Sequence, residues 1–382
     1  MLSRPTVFIE TYGCQMNVSD SELMLGRLAD AGYVAVDSPV GADVILLNTC
    51  AIRDHAEQRV IGRLGELRRD MKPDTVVGVT GCMAQRLGPR LLEQAKHVSL
   101  VIGPDGYRAL PTLVEGARQG RRMTATDFDL EEHYEDFAPR RFDKVKAWIP
   151  VQRGCDYKCT YCIVPTTRGS ERSRRLADVV REVEQVVADG MSEIVLLGQT
   201  VNSWFDGSHD FGDLLRAVGS VDGIRRVRFT SPHPNDFTDR VIAAMAETPT
   251  VCEHVHLPMQ SGSTRTLKRM LRRYTREGYL DCVRRMRAAI PHLSLTTDVI
   301  VGFPGETDAD FEETLSAVHL QVLAARRDAG DTAPRERHGP RPGRERTARS
   351  ARADGARHRA RTEHRATRPA CRDPRREARA SR

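Results

Sequence analysis

The sequence predicts an α/β fold: an N-terminal open parallel sheet domain, then a partial (β/α) barrel, then a disordered C-terminal tail. Strand-like and helix-like segments alternate over residues 5–118 and again over 147–320, as they do where helices connect parallel strands. Glycine-rich or polar turns follow most of these strands. Residues 324–382 contain no Ile, Leu, Val, Met, Phe, Tyr or Trp and therefore cannot bury a core.

The N-terminal domain, residues 5–118, is predicted to place three cysteines at one edge of its sheet. We expect strands at 7–12, 43–48, 75–80 and 100–103, and helices at 19–31 and 55–69. Cys14, Cys50 and Cys82 follow the first three strands, and the carboxyl ends of parallel strands lie along one edge. Three thiolates suit an iron–sulfur cluster with one open iron. For any single cysteine, the alternative is a small buried hydrophobic residue.

The second domain is predicted to span residues 147–320 after a polar, acidic linker at 119–146. Strands are expected at 147–152, 193–197, 225–229, 254–257 and 295–301, and helices at 175–188, 211–218, 237–247, 278–289 and 308–318. Repeated β/α units indicate a barrel or part of one, in which the loops after the strands provide the chemistry. Those loops, at 198–202, 230–234, 258–263 and 302–306, hold the small and polar residues that a ligand site needs.

The most specific motif is the C-x3-C-x2-C run formed by Cys155, Cys159 and Cys162, with Tyr161 before the last cysteine. Three thiolates bind three irons of a [4Fe-4S] cluster and leave the fourth iron open to a substrate or a second cofactor. Zinc sites usually add a second cysteine pair or a histidine, and the sequence has no second C-x2-C pair. Disulfides are not expected, because no secretory signal precedes the first strand.

The positive net charge of +7 is concentrated in the tail. Residues 321–382 contain 19 Arg, no Lys and 8 acidic residues, so the first 320 residues have a net charge of −4. The body of the protein is thus not predicted to bind nucleic acid through its overall charge. No apolar run approaches the ~18–20 residues of a membrane span. Nine cysteines suit a reducing compartment, and we predict a cytoplasmic protein without membrane contact.

Three segments resemble the radical SAM methylthiotransferases: 11–22 (TYGCQMNVSDSE), 162–169 and 298–306 (DVIVGFPGE). The resemblance covers about residues 5–320 and is stronger to the tRNA-modifying branch than to the ribosomal-protein branch, because of the GCQMN sequence at 13–17. It implies two [4Fe-4S] clusters. Cys155, Cys159 and Cys162 would hold the cluster that cleaves S-adenosyl-L-methionine, and the N-terminal three cysteines would hold a second cluster that provides sulfur.

The resemblance also implies an activity, transfer of a methylthio group to position 2 of N-6-isopentenyladenosine beside the anticodon of tRNA, with the base splayed out of its loop. The implied partners are tRNA, an electron donor such as flavodoxin or ferredoxin, and a sulfur donor. Expected cofactor-binding residues are Tyr161, Gln199, Asn202, Ser231, Gln260 and Gly302, and expected substrate-binding residues are Arg168 and Arg172. The alternatives are another tRNA adenosine, a ribosomal protein, or an inactive truncated cluster-binding remnant.

The resemblance ends near residue 320, where the family continues into a last barrel strand and a small RNA-binding β-barrel (TRAM) domain. Neither is visible in residues 321–382. One interpretation is a basic tail that binds RNA phosphates by charge alone. The other, which we favour, is a reading-frame change, because the transition is abrupt and falls inside a domain. Arg without Lys, together with Ala, Pro and Gly, is what shifted reading of GC-rich DNA would produce.

Overall fold

The structure is a computed structural model that describes residues 4–51, 54–69 and 71–328. Its N-terminal part contains six strands and five α-helices. In chain order these are β1 (Thr6–Thr11), α1 (Gln15–Asp30), β2 (Val34–Ala35), β3 (Val44–Thr49), α2 (Asp54–Leu67), β4 (Val76–Gly81), α3 (Cys82–Leu87), α4 (Arg90–Gln94), β5 (Leu100–Ile102), α5 (Leu110–Arg118) and β6 (Met123–Ala125).

The six N-terminal strands form one parallel sheet in the order β2-β1-β3-β4-β5-β6, as the alternating sequence pattern predicts. The central strands β3 and β4 are buried along their whole length. Helices α1 and α5 pack on one face, and α2, α3 and α4 pack on the other. Burial on both faces explains why the sequence of β3 is an apolar run rather than an alternating pattern.

The sheet extends beyond residue 118, where the sequence analysis begins the linker. Strand β6 lies within the predicted linker and pairs in parallel with β5. Its sequence, MTA, is too short and too polar for its pattern to indicate a strand, and the pairing with β5 supplies the backbone hydrogen bonds that stabilise it.

The second part contains the remaining strands and helices. They are β7 (Lys146–Pro150), β8 (Gln152–Arg153), α6 (Val164–Arg168), β9 (Arg172–Ser173), α7 (Leu176–Ala188), β10 (Glu193–Leu197), α8 (Phe211–Gly219), β11 (Arg226–Phe229), α9 (Asp239–Glu247), β12 (His254–His256), α10 (Thr264–Arg269), α11 (Arg276–Ala289), β13 (Ser294–Thr296) and α12 (Asp308–Asp328).

Five of these strands are parallel and follow one another as a partial barrel. Strand β10 pairs with β7 and β11, and β12 pairs with β13. A bridge between Val227 and Val251 joins the two groups. The core between strands and helices is apolar and includes the fully buried Phe211 and Phe237. The alternation of strands and helices in the sequence therefore predicts the fold class correctly.

The end of the barrel differs from the sequence expectation in two ways. The strand predicted at 295–301 is short, and beyond β13 only Val299 makes a further bridge, to Gln260. Helix α12 continues to Asp328, eight residues into the predicted tail, because its sequence there contains good helix formers such as Ala, Leu, Gln and Arg. The rest of the predicted disordered tail, 329–382, lies outside the described residues.

The two parts contact each other through α1. Met16, in its first turn, packs against Val195 and Leu197 of β10 and against Trp148 of β7. The carboxyl edge of the N-terminal sheet therefore faces the barrel strands. Within the described ranges, no helix is long and apolar enough to cross a bilayer.

Candidate active site with two cysteine triads

The first cysteine triad lies at the carboxyl edge of the N-terminal sheet. Cys14 is the N-cap residue of α1, Cys50 follows β3, and Cys82 follows β4 as the first residue of α3. All three line one cavity of about 180 Å³, which we call the first cavity. The sheet thus brings together residues that are far apart in the sequence, as strand-end placement predicts.

Buried amide side chains hold the backbone around the first triad. The Asn17 Nδ2 group donates to Asn48 Oδ1 at 3.1 Å, and Asn48 Nδ2 donates to Ser21 Oγ at 2.8 Å. The Cys14 thiol lies 3.4 Å from Asn17 Oδ1. Gly13 has a φ of +142°, and a Cβ atom there would lie 2.8 Å from the Cys50 Cβ atom. The first cavity therefore has fixed walls and leaves no room for a side chain at Gly13.

The second triad, Cys155, Cys159 and Cys162, lies in the loop between β8 and α6. These thiols line a second cavity of about 250 Å³. The Cys155 Sγ atom lies 3.2 Å from Thr200 Oγ1, and Arg272 Nη1 donates to Cys159 Sγ at 3.4 Å. Burial raises the pKa of the Cys155 and Cys162 thiols, so thiolates there need a compensating positive charge.

The two cavities share a wall made of Val164, Gln199 and Ser231, each of which lines both. Ser231 has a φ of +59°, and Gln260, which lines the second cavity, has a φ of +66°. Left-handed conformations are unfavourable for residues other than glycine and concentrate at functional sites, where the surrounding fold holds them in place. The loops after the barrel strands therefore form the boundary between the two triads.

Three buried polar atoms at the cavities have no hydrogen-bond partner in the described part of the chain. They are Arg168 Nη1 at the first cavity, His233 Nε2 at the second and Gln199 Oε1 on the shared wall. Buried donors and acceptors are normally satisfied, so a cluster of unsatisfied ones that line cavities indicates that a ligand completes them. The arrangement fits polar ligands bound beside each cysteine triad.

His233 is held as a neutral donor at the second cavity. Its Nδ1 atom accepts a hydrogen bond from the Asn235 backbone N–H at 3.3 Å, which leaves the proton on Nε2. Burial, together with the charges of Arg272 and Arg273, lowers the pKa of His233 to about 2. The ring stacks on Tyr157 with centroids 4.0 Å apart. His233 can therefore orient a ligand with an N–H group, and it does not act as an acid at neutral pH.

A single-ion metal site is not present among the described residues: no three His, Cys, Asp or Glu side chains are grouped closely enough to hold one ion. Each thiolate of a cubic cluster binds a different iron, so its cysteines surround a cavity instead of one point. Two sets of three cysteines, each lining its own cavity, fit the cluster geometry.

Arg168 and Arg172, expected to bind substrate, are buried in ion pairs between the two parts of the protein. Arg172 forms two hydrogen bonds of 3.0 Å to the carboxylate of Asp105. Arg168 Nη2 donates to Asp20 at 2.7 Å, and Arg168 Nε donates to Cys82 Sγ at 3.2 Å. Arg168 therefore belongs to the wall of the first cavity, and Arg172 joins the two parts. Neither is an exposed phosphate contact, because the N-terminal part covers both side chains.

The structure brings four of the six expected cofactor-binding residues to the second cavity: Tyr161, Gln199, Ser231 and Gln260. Asn202 and Gly302 do not line either cavity. The Asn202 side chain instead bonds both backbone groups of His233, at 2.7 and 2.9 Å, and so positions that loop. Gly302 lies exposed in a turn closed by Glu306.

Sequence reasoning missed three side chains that contact the triads or their neighbours: Asp20, Thr200 and Arg272. Thr200 and Arg272 lie far along the chain from Cys155 and Cys159, and Asp20 reaches the first triad through Arg168, which donates to Cys82. Only the position of Asp20, six residues after Cys14 and within the first two turns of α1, could have indicated a role beside the first triad.

Two family models match this chain. Residues 6–103 match the model described as uncharacterized protein family UPF0004, and residues 149–318 match the radical SAM superfamily. The two matches coincide with the two parts of the structure, and the second covers the C-x3-C-x2-C motif.

Curated relatives bear the name tRNA-2-methylthio-N(6)-dimethylallyladenosine synthase. The protein from Saccharopolyspora erythraea is 47% identical over 323 residues, covering 83% of this chain and 66% of the relative. That from Acidothermus cellulolyticus is 48% identical, covering 84% and 66%. That from Geobacillus kaustophilus is 48% identical, covering 81% and 60%. The chain thus spans just under two thirds of the length of these relatives.

Among solved structures, the fold resembles the radical S-adenosylmethionine methyltransferase TsrM from Kitasatospora setae, with a TM-score of 0.62 and 17% identity, covering 84% of this chain and 71% of that one. It also resembles the cobalamin-dependent S-adenosylmethionine radical enzyme OxsB, with a TM-score of 0.58 and 13% identity, covering 83% and 52%. At these identities the likeness concerns the fold alone, which is that of radical SAM proteins. The two family models and the curated relatives show that this chain belongs to the radical SAM methylthiotransferase family.

Proposed function

We propose that this chain is an enzyme that transfers a methylthio group to position 2 of N-6-isopentenyladenosine next to the anticodon in tRNA. The observation that supports the proposal most directly is the shared wall of Val164, Gln199 and Ser231 between the two cysteine-lined cavities. A reaction that replaces a strong C–H bond by a C–S bond needs a radical generator and a sulfur source that both reach one carbon atom. Adjacent cavities meet that requirement.

In this proposal, Cys155, Cys159 and Cys162 hold one [4Fe-4S] cluster and Cys14, Cys50 and Cys82 hold the other. When bound, the first cluster would supply, with S-adenosyl-L-methionine and one electron from the electron donor, the 5′-deoxyadenosyl radical that takes the hydrogen atom from position 2. The second cluster would supply the sulfur, and a second S-adenosyl-L-methionine would supply its methyl group. The protein residues bind and orient. Thr200 and Arg272 stabilise the second-triad thiolates, and the donor His233 Nε2 and acceptor Gln199 Oε1 are available to orient S-adenosyl-L-methionine or the base.

Tyr157 and His233 form one wall of the second cavity. Tyr157 covers His233 on one side, and its hydroxyl donates to Asp236 at 3.0 Å. Burial raises the pKa of both Tyr157 and Asp236.

The proposal includes partners and a location. Electrons come from a flavodoxin or ferredoxin and sulfur from a separate donor protein, and the reaction takes place in the cytoplasm, where tRNA is found. A different modified adenosine or a ribosomal protein is the alternative substrate, and the experiments below separate these possibilities.

The first test is anaerobic reconstitution followed by iron and sulfide analysis. We expect about eight irons per chain, falling to about four in a Cys155/Cys159/Cys162→Ala variant and also in a Cys14/Cys50/Cys82→Ala variant. Cys252 and Cys282 serve as controls, because neither lines either cavity, and a Cys252/Cys282→Ala variant should retain all the iron. A wild-type chain that binds one zinc ion or no metal would contradict the two-cluster proposal and favour an inactive remnant.

The second test identifies the product. The reconstituted chain is incubated with S-adenosyl-L-methionine, a reductant and tRNA from a strain that lacks the modification, and the nucleosides are analysed by mass spectrometry. We expect 2-methylthio-N-6-isopentenyladenosine to form. A methylthio group on a different nucleoside, or on ribosomal protein in a parallel incubation, would assign the alternative substrate.

A further inference from the structure

We propose that Lys158, Lys268 and Arg273 form a basic rim at the mouth of the second cavity that binds backbone phosphates of the RNA substrate. The inference rests on the proposed function and adds the surface through which RNA is held. It concerns side chains that do not bind a cluster and that lie outside the wall between the cavities. The following observations support it.

The charge of residues 264–276 is opposite to that of the surrounding protein. This segment contains six basic residues and no acidic residue, whereas residues 1–320 as a whole have a net charge of −4. A local excess of positive charge on an acidic protein attracts a polyanion to one place and orients it there. The segment is therefore a distinct electrostatic feature and not part of a generally basic surface.

The fold places this segment against the second cysteine loop. The Thr160 backbone N–H donates to the Met270 carbonyl at 3.1 Å, and Thr160 Oγ1 donates to the Arg269 carbonyl at 3.4 Å. Lys158 lies in the same loop, between the cavity-lining residues Tyr157 and Cys159. Arg272 of the basic segment also lines the second cavity, so the segment and the cysteine loop border this cavity together.

The three side chains of the basic rim are exposed and have no carboxylate partner in the part of the chain that the structure describes. Arg265, in the same segment, is different, because it pairs with Asp310. The Arg273 guanidinium lies 5.4 Å above the Tyr157 ring, and its carbonyl accepts a hydrogen bond from Asn235 Nδ2 at 2.8 Å. Arg273 is thus fixed over the cavity wall while its N–H groups remain available.

No nearby carboxylate forms an ion pair with the three side chains of the basic rim in the described part of the chain, and the charge of Asp236 interacts with that of Arg273 without such a contact. Asp156 accepts the Glu171 backbone N–H at 3.2 Å, and Asp298 pairs with His256 at 3.4 Å. Exposed lysine and arginine side chains without carboxylate partners are the groups that bind phosphate oxygens and release counterions in doing so. RNA held by its backbone at this mouth would present a splayed base to the cavity.

The test measures binding of an anticodon stem-loop RNA that contains isopentenyladenosine to the reconstituted full chain, by fluorescence anisotropy at several salt concentrations. The variant is K158Q/K268Q/R273Q. The matched control is R90Q/K96Q/K144Q, which removes the same charge from exposed residues that line neither cavity. Residues 329–382 are present in every protein, so their contribution is common to all.

We expect the rim variant to bind the RNA roughly tenfold more weakly or worse, with a slope of log affinity against log salt that is smaller by about 2, since each lost phosphate contact removes about 0.7 from the slope. The control should retain most of the affinity. Both variants should have the same iron content and the same melting temperature as the wild-type chain. Equal affinity and slope for wild type and rim variant, or equal losses in both variants, would overturn the basic rim. A wild-type chain that does not bind the RNA would instead overturn the tRNA substrate.

Discussion

Asp20 is predicted to be a main determinant of the attachment between the two parts of the protein. Its carboxylate has no exposed surface and accepts hydrogen bonds from Arg153 at 3.2 Å and from Arg168 at 2.7 Å. Asp20 is in α1, whereas both arginines are in the second part, with side chains that are 6% and 3% exposed. One buried anion therefore compensates two buried cations across the contact.

Asp20→Asn keeps the shape of the side chain and removes its charge. Loss of one partner of a buried ion pair costs about 3–5 kcal/mol, because the remaining charge stays buried without compensation. A domain of ordinary stability has an unfolding free energy of about 5–15 kcal/mol, so the variant should lose a large fraction of it. Full burial of the three side chains means that solvent screening does not reduce this value.

The assay is urea denaturation of the apo chain, followed by tryptophan fluorescence and far-UV circular dichroism. Both tryptophans, Trp148 and Trp204, lie in the second part, whereas dichroism reports on both parts. The control is Asp222→Asn, an exposed residue, which should change stability by less than about 0.5 kcal/mol.

A triple variant makes the reasoning refutable. D20N/R153M/R168M removes all three charges, so no buried charge remains without a partner, and it should be more stable than D20N alone. If D20N lies within about 1 kcal/mol of the wild type, or if the triple variant is less stable than D20N, the buried charges do not hold the two parts together as described.

Three further predictions concern single side chains. Burial raises the pKa of Glu22 from 4.5 to about 6, so ionisation of this carboxyl group destabilises the folded state as the pH rises through this range. Glu22→Gln should therefore raise the unfolding free energy by about 2 kcal/mol at pH 7.5 and leave it nearly unchanged at pH 4.5. Urea denaturation at both pH values measures the difference. Arg168→Gln removes the cation that donates to Cys82 Sγ and should make the midpoint potential of one cluster more negative. A redox titration monitored by electron paramagnetic resonance measures this potential. An equal shift in the control variant Arg172→Gln would show instead that loss of an ion pair between the two parts is the cause. Thr238→Ala removes the N-cap hydrogen bond to the α9 backbone and should lower the unfolding free energy by about 1 kcal/mol; a change below about 0.3 kcal/mol would mean that water replaces the cap.

The sequence predicts most of the helices and strands because the hydrophobic pattern that specifies them is local. The apolar run of β3 and the alternation of strands with helices identify a parallel sheet, and β10 is predicted with its correct bounds. The errors fall where pairing with a distant segment decides whether a strand forms. Strand β6 forms because β5 lies beside it, and residues 297–301 fail to continue β13, since Val299 alone finds a bridge.

The candidate site shows the same division. The spacing of the second triad and the strand-end positions of Cys14, Cys50 and Cys82 are sequence properties, and both sets line cavities as expected. The roles of Arg168 and Arg172 are not properties of the sequence alone. A basic run beside a cysteine loop gives the same sequence signal whether solvent or a second domain covers it, and here the N-terminal part covers both side chains.

Local features of the chain are enough to predict the family, the α/β class and the grouping of six cysteines into two triads, because motif spacing and hydrophobic periodicity are encoded along short segments. The adjacent cavities with their shared wall, and the pairing of Asp20 with two arginines from another part of the chain, follow from the tertiary structure. These features arise from packing between segments more than a hundred residues apart, where buried charges must find partners, and no local pattern specifies which partners they find.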